Sequence, residues 1–170
     1  MTDVSDTAIA TTGKVVFAHV PGREPVPADC GEQRMRILRE CGLEKESAMG
    51  SPFPVVTLMA REALDAVKDG IGIAVWPGFC GEDVCTEDVD YESLRVGSLL
   101  RVGEALLLIA RKGKNCGGKC GVSKVTLDCP LSQSWMSAWI LRGGNIRADD
   151  PVSVLSMEWL VSRTTMESPA

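Results

Sequence analysis

One segment of the chain, Arg111 to Lys124, combines thiols, cations and glycines. It contains Cys116 and Cys120 and no acidic residue, although the whole chain carries a net charge of −5. Its basic residues are Arg111, Lys112, Lys114, Lys119 and Lys124. A cation beside a thiol favours the thiolate, which is the form that attacks electrophiles and binds metals. Because the same cations attract phosphate and other oxyanions, the segment predicts an anion site with a reactive sulfur.

Of the two cysteines in this segment, Cys120 has the neighbours that most favour a thiolate. It lies between Lys119 and Gly121, whereas Cys116 lies between Asn115 and Gly117. The glycines of the segment would let its backbone approach a ligand closely. We therefore predict Cys120 as the reactive thiol and Cys116 as the second candidate. The five cations have an alternative interpretation, because runs of surface charge usually form a solvated face or dock an acidic partner.

A third sulfur, Cys129, raises the possibility of a structural zinc site on Cys116, Cys120 and Cys129. The spacing differs from the C-x2-C pair of a zinc knuckle, and the single histidine, His19, lies far upstream. Zinc is therefore the weaker alternative. Taken alone, Cys129 is predicted to be buried and inert, as small apolar thiols usually are.

A second candidate lies in the tight turn of Gly78-Phe-Cys-Gly-Glu-Asp83. Glu82 could bind the polar edge of a ligand, or it could accept hydrogen bonds that end a helix or strand. The structural role is the more common one for such a residue. Glu82 and Asp83 are nevertheless predicted to line the anion pocket.

Bulk composition restricts the class of protein. A chain of 170 residues that is 45% hydrophobic is long enough for one domain with a substantial core. Its negative charge argues against a general nucleic-acid binder, and no apolar run approaches the ~20 residues that span a bilayer. The acidic, polar N-terminus does not have the pattern of a secretory signal. Together with an odd number of cysteines, seven, it predicts reduced thiols and a cytoplasmic location.

The elements that must position these residues are mostly short strands, which predicts a mainly β domain with a barrel or sandwich architecture. Strands are predicted at 14–20, 137–142 and 152–155, and a hairpin at 98–102 and 105–110, closed at Gly103-Glu104. The domain is expected to span 13–160, between a flexible N-terminus (1–12) and a flexible tail (161–170).

One clear helix is predicted at about 58–69, because Ala60, Ala63, Leu64 and Val67 recur at helical spacing. Thr57 is its predicted N-cap, and Gly70 is its predicted stop. A further short helix is predicted at 31–41. A loop is predicted at 72–82, and a turn at 143–145.

These motifs resemble the MOSC domain, the module named after the C-terminal region of molybdenum-cofactor sulfurase, in its short stand-alone type. The run Val96-Gly-Ser-Leu-Leu-Arg-Val-Gly-Glu-Ala105 matches the family's V-G-x-x-L-R-I-G-E-A pattern. Gly113-Lys-Asn-Cys116, then Cys120 and Asp128-Cys129, match G-K-x-C … C … G-D-C. Pro77–Asp83 is similar to P-G-D-F-x-E-N, and the likeness extends from about residue 13 to 155.

The resemblance implies a closed or partly closed β-barrel-like fold with few short helices. It also implies that basic groups hold the molybdenum cofactor, molybdopterin, and that Cys120 carries sulfur or binds molybdenum, independently of pyridoxal phosphate. The implied partners are molybdopterin or another anionic small molecule, and a cysteine desulfurase or cofactor-synthesis protein. Some relatives resemble molybdenum-dependent reductases of N-hydroxylated compounds.

The chain departs from the family pattern at several positions. Ala48 stands where the family has histidine, Pro54 where it has arginine, and Asp83 where it has asparagine. These changes remove a histidine and an arginine from the predicted anion pocket. The alternatives are therefore a non-enzymatic adaptor that docks a partner through its basic loop, or a degenerate MOSC domain.

Overall fold

The computed structural model describes residues 10–18, 34–37, 55–114, 121–126 and 129–156. Most of the predicted flexible N-terminus and all of the predicted tail (161–170) lie outside these residues. So do His19, Cys116, Lys119 and Cys120.

Seven strands form a closed barrel in the order β1-β4-β3-β7-β6-β5-β9, and β2 and β8 form a separate two-stranded sheet. In chain order the strands are β1 (Ala10–Ala18), β2 (Arg34–Ile37), β3 (Val55–Ala60), β4 (Val84–Glu87), β5 (Leu99–Val102), β6 (Ala105–Lys112), β7 (Trp135–Arg142), β8 (Gly144–Arg147) and β9 (Pro151–Leu155). The three helices of the described residues are α1 (Arg61–Ile71), α2 (Gly121–Val125) and α3 (Pro130–Ser134). The predicted mainly β, closed barrel is confirmed.

The predicted hairpin is also confirmed. β5 and β6 pair antiparallel from Val102↔Ala105 to Leu99↔Leu108, with Gly103-Glu104 between them. Gly103 has φ +55°, and a Cβ there would lie 2.6 Å from an Asp150 carboxylate oxygen. The turn therefore requires glycine both for its backbone angle and for lack of space.

The strand β1 closes the barrel because its two halves pair with different neighbours. Residues 14–18 pair with β4, and residues 10–14 pair with β9. The register with β9 shifts between Thr11 and Gly13. Gly13 thus lies where the strand passes from one partner to the other.

The clear helix is present, but it begins later than predicted. Residues Val55–Ala60 form β3, and all six are buried. Thr57 is in this strand, so the predicted N-cap is wrong; the residue at the N-cap position is Ala60, which makes no side-chain cap. A strand covered on both faces shows no alternation of polar and apolar residues, so its sequence can be mistaken for the start of a buried helix.

The end of α1 is also displaced from the prediction. The helix continues through Gly70 to Ile71, and Gly72 ends it with φ +73° and an N–H that donates to the Lys68 carbonyl at 3.1 Å. The residues buried from this helix are Ala63, Leu64 and Val67, which are three of the four used to predict it.

Two predictions around β2 and β8 are wrong. Residues 34–37 form a strand and not a helix, and they pair antiparallel with β8 from Arg34↔Arg147 to Ile37↔Gly144. The expected turn at 143–145 is replaced by the start of β8 at Gly144. The strand pairs with a segment more than a hundred residues away, and such long-range pairing overrides weak local helix signals.

Candidate functional site

The basic segment begins at the end of β6, beside the start of β7. Gly113, with φ +84°, donates its N–H to the Trp135 carbonyl at 2.7 Å. The Lys114 N–H donates to the Ser132 carbonyl at 2.8 Å. These bonds fix the backbone at the point from which the chain enters residues 115–120.

The Lys114 side chain brings the two predicted site segments together. Its Nζ donates to the Cys80 carbonyl at 2.6 Å, across 34 positions of sequence. The same Nζ lies 5.4 Å from the centroid of the Trp135 ring, within the range of a cation–π interaction. The turn that contains Glu82 and the start of the cysteine segment are therefore in direct contact.

The Lys112 ammonium is used differently. It donates to the carbonyls of Tyr91 at 2.6 Å, and of Glu92 and Leu94 at 3.2 Å each. An ammonium has three N–H donors, so this turn occupies all of them. Binding of an anion by Lys112 stays a prediction, and its observed role is to hold the turn at 91–94 against β6.

Of the remaining cations, Arg111 and Lys124 are exposed. Lys119, Cys116 and Cys120 lie outside the described residues, so the roles predicted for them stay predictions. The chain is described again from Gly121, where α2 begins, and Val122 of that helix is buried.

Cys129 lies directly before α3 and is 8% exposed, so its predicted burial is confirmed. Its carbonyl accepts hydrogen bonds from the Ser132 N–H at 3.0 Å and from the Ser132 hydroxyl at 2.8 Å. Within the part of the chain that the structure describes, no group of three His, Cys, Asp or Glu residues is arranged to hold a metal. Two of the three predicted zinc ligands lie outside that part.

Glu82 is buried and holds the turn that precedes it. Its two carboxylate oxygens accept the N–H of Gly78 at 2.6 Å and of Cys80 at 3.0 Å. Burial raises the pKa of Glu82, while the two N–H donors and the Lys114 charge act in the opposite direction. The side chain therefore has the structural role that the sequence favoured, and it holds the same residue, Cys80, whose carbonyl accepts the Lys114 ammonium.

Asp83 lies directly before β4 and is hydrogen-bonded to Thr57 of β3. β3 and β4 pair in parallel. One of the Asp83 carboxylate oxygens accepts the Thr57 N–H at 2.8 Å and the Thr57 hydroxyl at 2.6 Å. The Asp83 N–H lies 2.9 Å from the Thr57 hydroxyl oxygen. Because both residues are buried, the predicted lining residue Asp83 works as a strand connection.

Sequence reasoning did not include Trp135 in the site. Its ring is buried at 4% exposure, and its Nε1–H has no acceptor among the residues that the structure describes. A buried donor without an acceptor is costly and uncommon, so this group calls for an explanation such as a bound water or ion. Trp135 lies 21 positions beyond Lys114 along the chain, and no spacing pattern joins the two.

Cys85 shows the opposite environment from the one predicted for Cys120. It is fully buried in β4. Burial raises the pKa of its thiol well above the ordinary value, and the negative charge of Glu82 raises this pKa further. The thiolate is therefore disfavoured at this position, which makes Cys85 an internal reference for an inert thiol.

No helix among the described residues combines the length and the apolar character needed to cross a membrane. No protein-family model matches the chain, and no curated protein matches it.

Solved structures of similar fold do match. YuaD from Bacillus subtilis superposes with a TM-score of 0.53 at 16% identity, over 88% of this chain and 96% of that one. YiiM from Escherichia coli has a TM-score of 0.51 at 22% identity, over 85% and 69%. YiiM from Geobacillus stearothermophilus has a TM-score of 0.50 at 17% identity, over 59% and 54%, so this chain spans about half of it. YiiM and YuaD are MOSC-domain proteins, and at these identities the likeness concerns the fold: the chain has a MOSC-like fold.

Proposed function

We propose that this protein binds an anionic cofactor of the molybdopterin type where Lys114 meets the turn at Cys80, and that Cys120 binds its molybdenum or carries sulfur. The observation that supports this most is the 2.6 Å contact between the Lys114 Nζ and the Cys80 carbonyl. It joins the segment predicted to hold the reactive thiol to the turn predicted to line the pocket. Cys116 is the second candidate for the thiol.

Three groups near the end of β6 and the start of β7 support an anionic ligand. Lys114 supplies a cation, the buried Trp135 Nε1–H has no acceptor among the described residues, and Arg111 is exposed at the end of β6. Lys112 contributes little, because its three donors are already bonded to carbonyls. When bound, the cofactor would supply a molybdenum centre, which prefers soft thiolate ligands.

As a sulfur carrier, Cys120 would act through its thiolate. The thiolate attacks the terminal sulfur of a donor persulfide, such as that of a cysteine desulfurase; the donor's sulfur–sulfur bond breaks, and the donor cysteine leaves as a thiolate. The chain then carries one additional sulfur on Cys120, and no external oxidant or reductant is consumed. Lys119 and the other cations of the segment would stabilise the negative charge.

Native mass spectrometry of freshly isolated protein, expressed in a host that makes molybdenum cofactor, tests the proposal. We expect a mass increment equal to the cofactor or to one sulfur atom. The increment should disappear in Cys120→Ser and persist in the matched control Cys129→Ala, because Cys129 is buried. A bare polypeptide mass for the wild-type protein, isolated without oxygen, would contradict the proposal.

A docking module for an acidic partner is the second candidate function, and the exposure of Arg111 and Lys124 favours it. In that case Cys120→Ser would bind the partner as the wild-type protein does. Charge reversal at Arg111 and Lys124 is the suitable test, since reversal at Lys112 or Lys114 would also break contacts with backbone carbonyls.

A further inference from the structure

An exposed tryptophan lies in the turn that Lys114 contacts. Trp76 is 55% exposed, and its ring meets the ring of Phe79 edge to face, with centroids 5.2 Å apart and an interplanar angle of 83°. Phe79 in turn packs against the hydrophobic core. The Trp76 ring is therefore supported from one side and presents apolar area to the solvent.

The turn beneath this ring is held by several independent contacts. The Phe79 N–H donates to the Trp76 carbonyl, and the Gly81 N–H to the Gly78 carbonyl, both at 2.9 Å. The buried Glu82 carboxylate accepts hydrogen bonds from two further N–H groups of the turn. Lys114 donates to the Cys80 carbonyl from the side of the cysteine segment.

These contacts fix a surface group at a cost. Burying the Glu82 carboxylate is energetically unfavourable. Its two oxygens accept two backbone N–H groups of this turn, and the buried charge thereby fixes the turn. A rigid aromatic ring binds a ligand with a smaller loss of conformational entropy than a loose one. A fixed ring in a turn that also accepts a lysine ammonium complements a ligand that has a flat face and a negative charge.

We infer that Trp76 is the face on which the flat ring system of an anionic heteroaromatic ligand lies, with the negative charge of that ligand directed to Lys114. The inference rests on the proposed function and specifies the ligand class of the same site. The ring supplies stacking area, and the Lys114 ammonium supplies charge complementarity four residues further along the turn, at Cys80.

Titration of the purified protein with pterin-6-carboxylate, followed by calorimetry, tests this inference. We expect Trp76→Ala to weaken binding at least about five-fold, since stacking of a base on an aromatic side chain is worth ~1–3 kcal/mol. Trp76→Phe should restore most of the affinity. The matched control Trp139→Phe, on the barrel strand β7, should bind as the wild-type protein does.

Two further measurements make the result specific. Uncharged pterin should bind more weakly than pterin-6-carboxylate, and the difference should shrink as salt is raised. Cys120→Ser should bind the probe normally, so loss of the cofactor or sulfur increment in that variant is a separate outcome. The inference is overturned if wild-type protein does not bind the probe, or if Trp76→Ala binds it as tightly as wild-type protein while showing the same thermal unfolding.

Discussion

Replacing Gly13 by alanine is expected to lower the free energy of unfolding by about 3 kcal/mol, at the upper end of what overpacking usually costs. A Cβ at this position would lie 2.1 Å from the Glu87 carbonyl oxygen and 2.7 Å from a methyl group of Val89. The closest atom belongs to the backbone, so no side-chain rotation can relieve the contact. The strand β1 would have to move at the point where it passes from β4 to β9.

Gly70→Ala is the matched control for this prediction. Gly70 lies in α1, and no atom lies within 4 Å of a Cβ built there. Alanine is the better helix former, so this variant should gain up to about 1 kcal/mol. Urea denaturation of both variants measures the two effects, and a Gly13→Ala protein as stable as the wild type would contradict the described closure of the barrel.

Replacing Asp83 by alanine is expected to cost about 3 kcal/mol of unfolding free energy. The substitution removes the acceptor of both the Thr57 N–H and the Thr57 hydroxyl, and each buried donor left without a partner costs ~1–3 kcal/mol. Asp83→Asn should cost much less, because its amide oxygen can accept the same two hydrogen bonds. Asparagine is also the residue of the MOSC pattern at this position.

A double-mutant cycle with Thr57→Val separates the pair from its surroundings. Since the two side chains are hydrogen-bonded, the Thr57→Val and Asp83→Ala effects should not add, and the coupling should exceed about 0.5 kcal/mol. Additive effects would show that the two residues stabilise the parallel strands independently of each other. The denaturation midpoints of the four proteins provide this measurement.

The barrel was predictable from sequence wherever a strand shows a regular local pattern. The β5–β6 hairpin could be predicted because Gly103-Glu104 closes two apolar runs, and α1 could be predicted from Ala63, Leu64 and Val67. β3 could not be separated from the helix, because burial on both faces removes its alternation. β2 depends on pairing with β8, which local sequence does not reveal.

The site was predictable as a set of residue types but not as a set of contacts. The basic segment and the Glu82 turn could both be identified from their composition. The acceptors of Lys112 and Lys114 are backbone carbonyls, between 18 and 34 positions away, and a carbonyl is present at every residue. Sequence therefore could not distinguish a cation that binds ligand from one that holds a turn.

The pH dependence of alkylation at each cysteine tests the central claim most directly. Native protein would be treated with iodoacetamide at a series of pH values, and the labelled peptides would be quantified by mass spectrometry. Cys120 should label with a midpoint clearly below the ~8.5 of an ordinary thiol, whereas the buried Cys85 should stay unlabelled throughout the native range. A Cys120 midpoint at the ordinary value, with Cys85 still protected, would contradict the account of an activated sulfur in the basic segment.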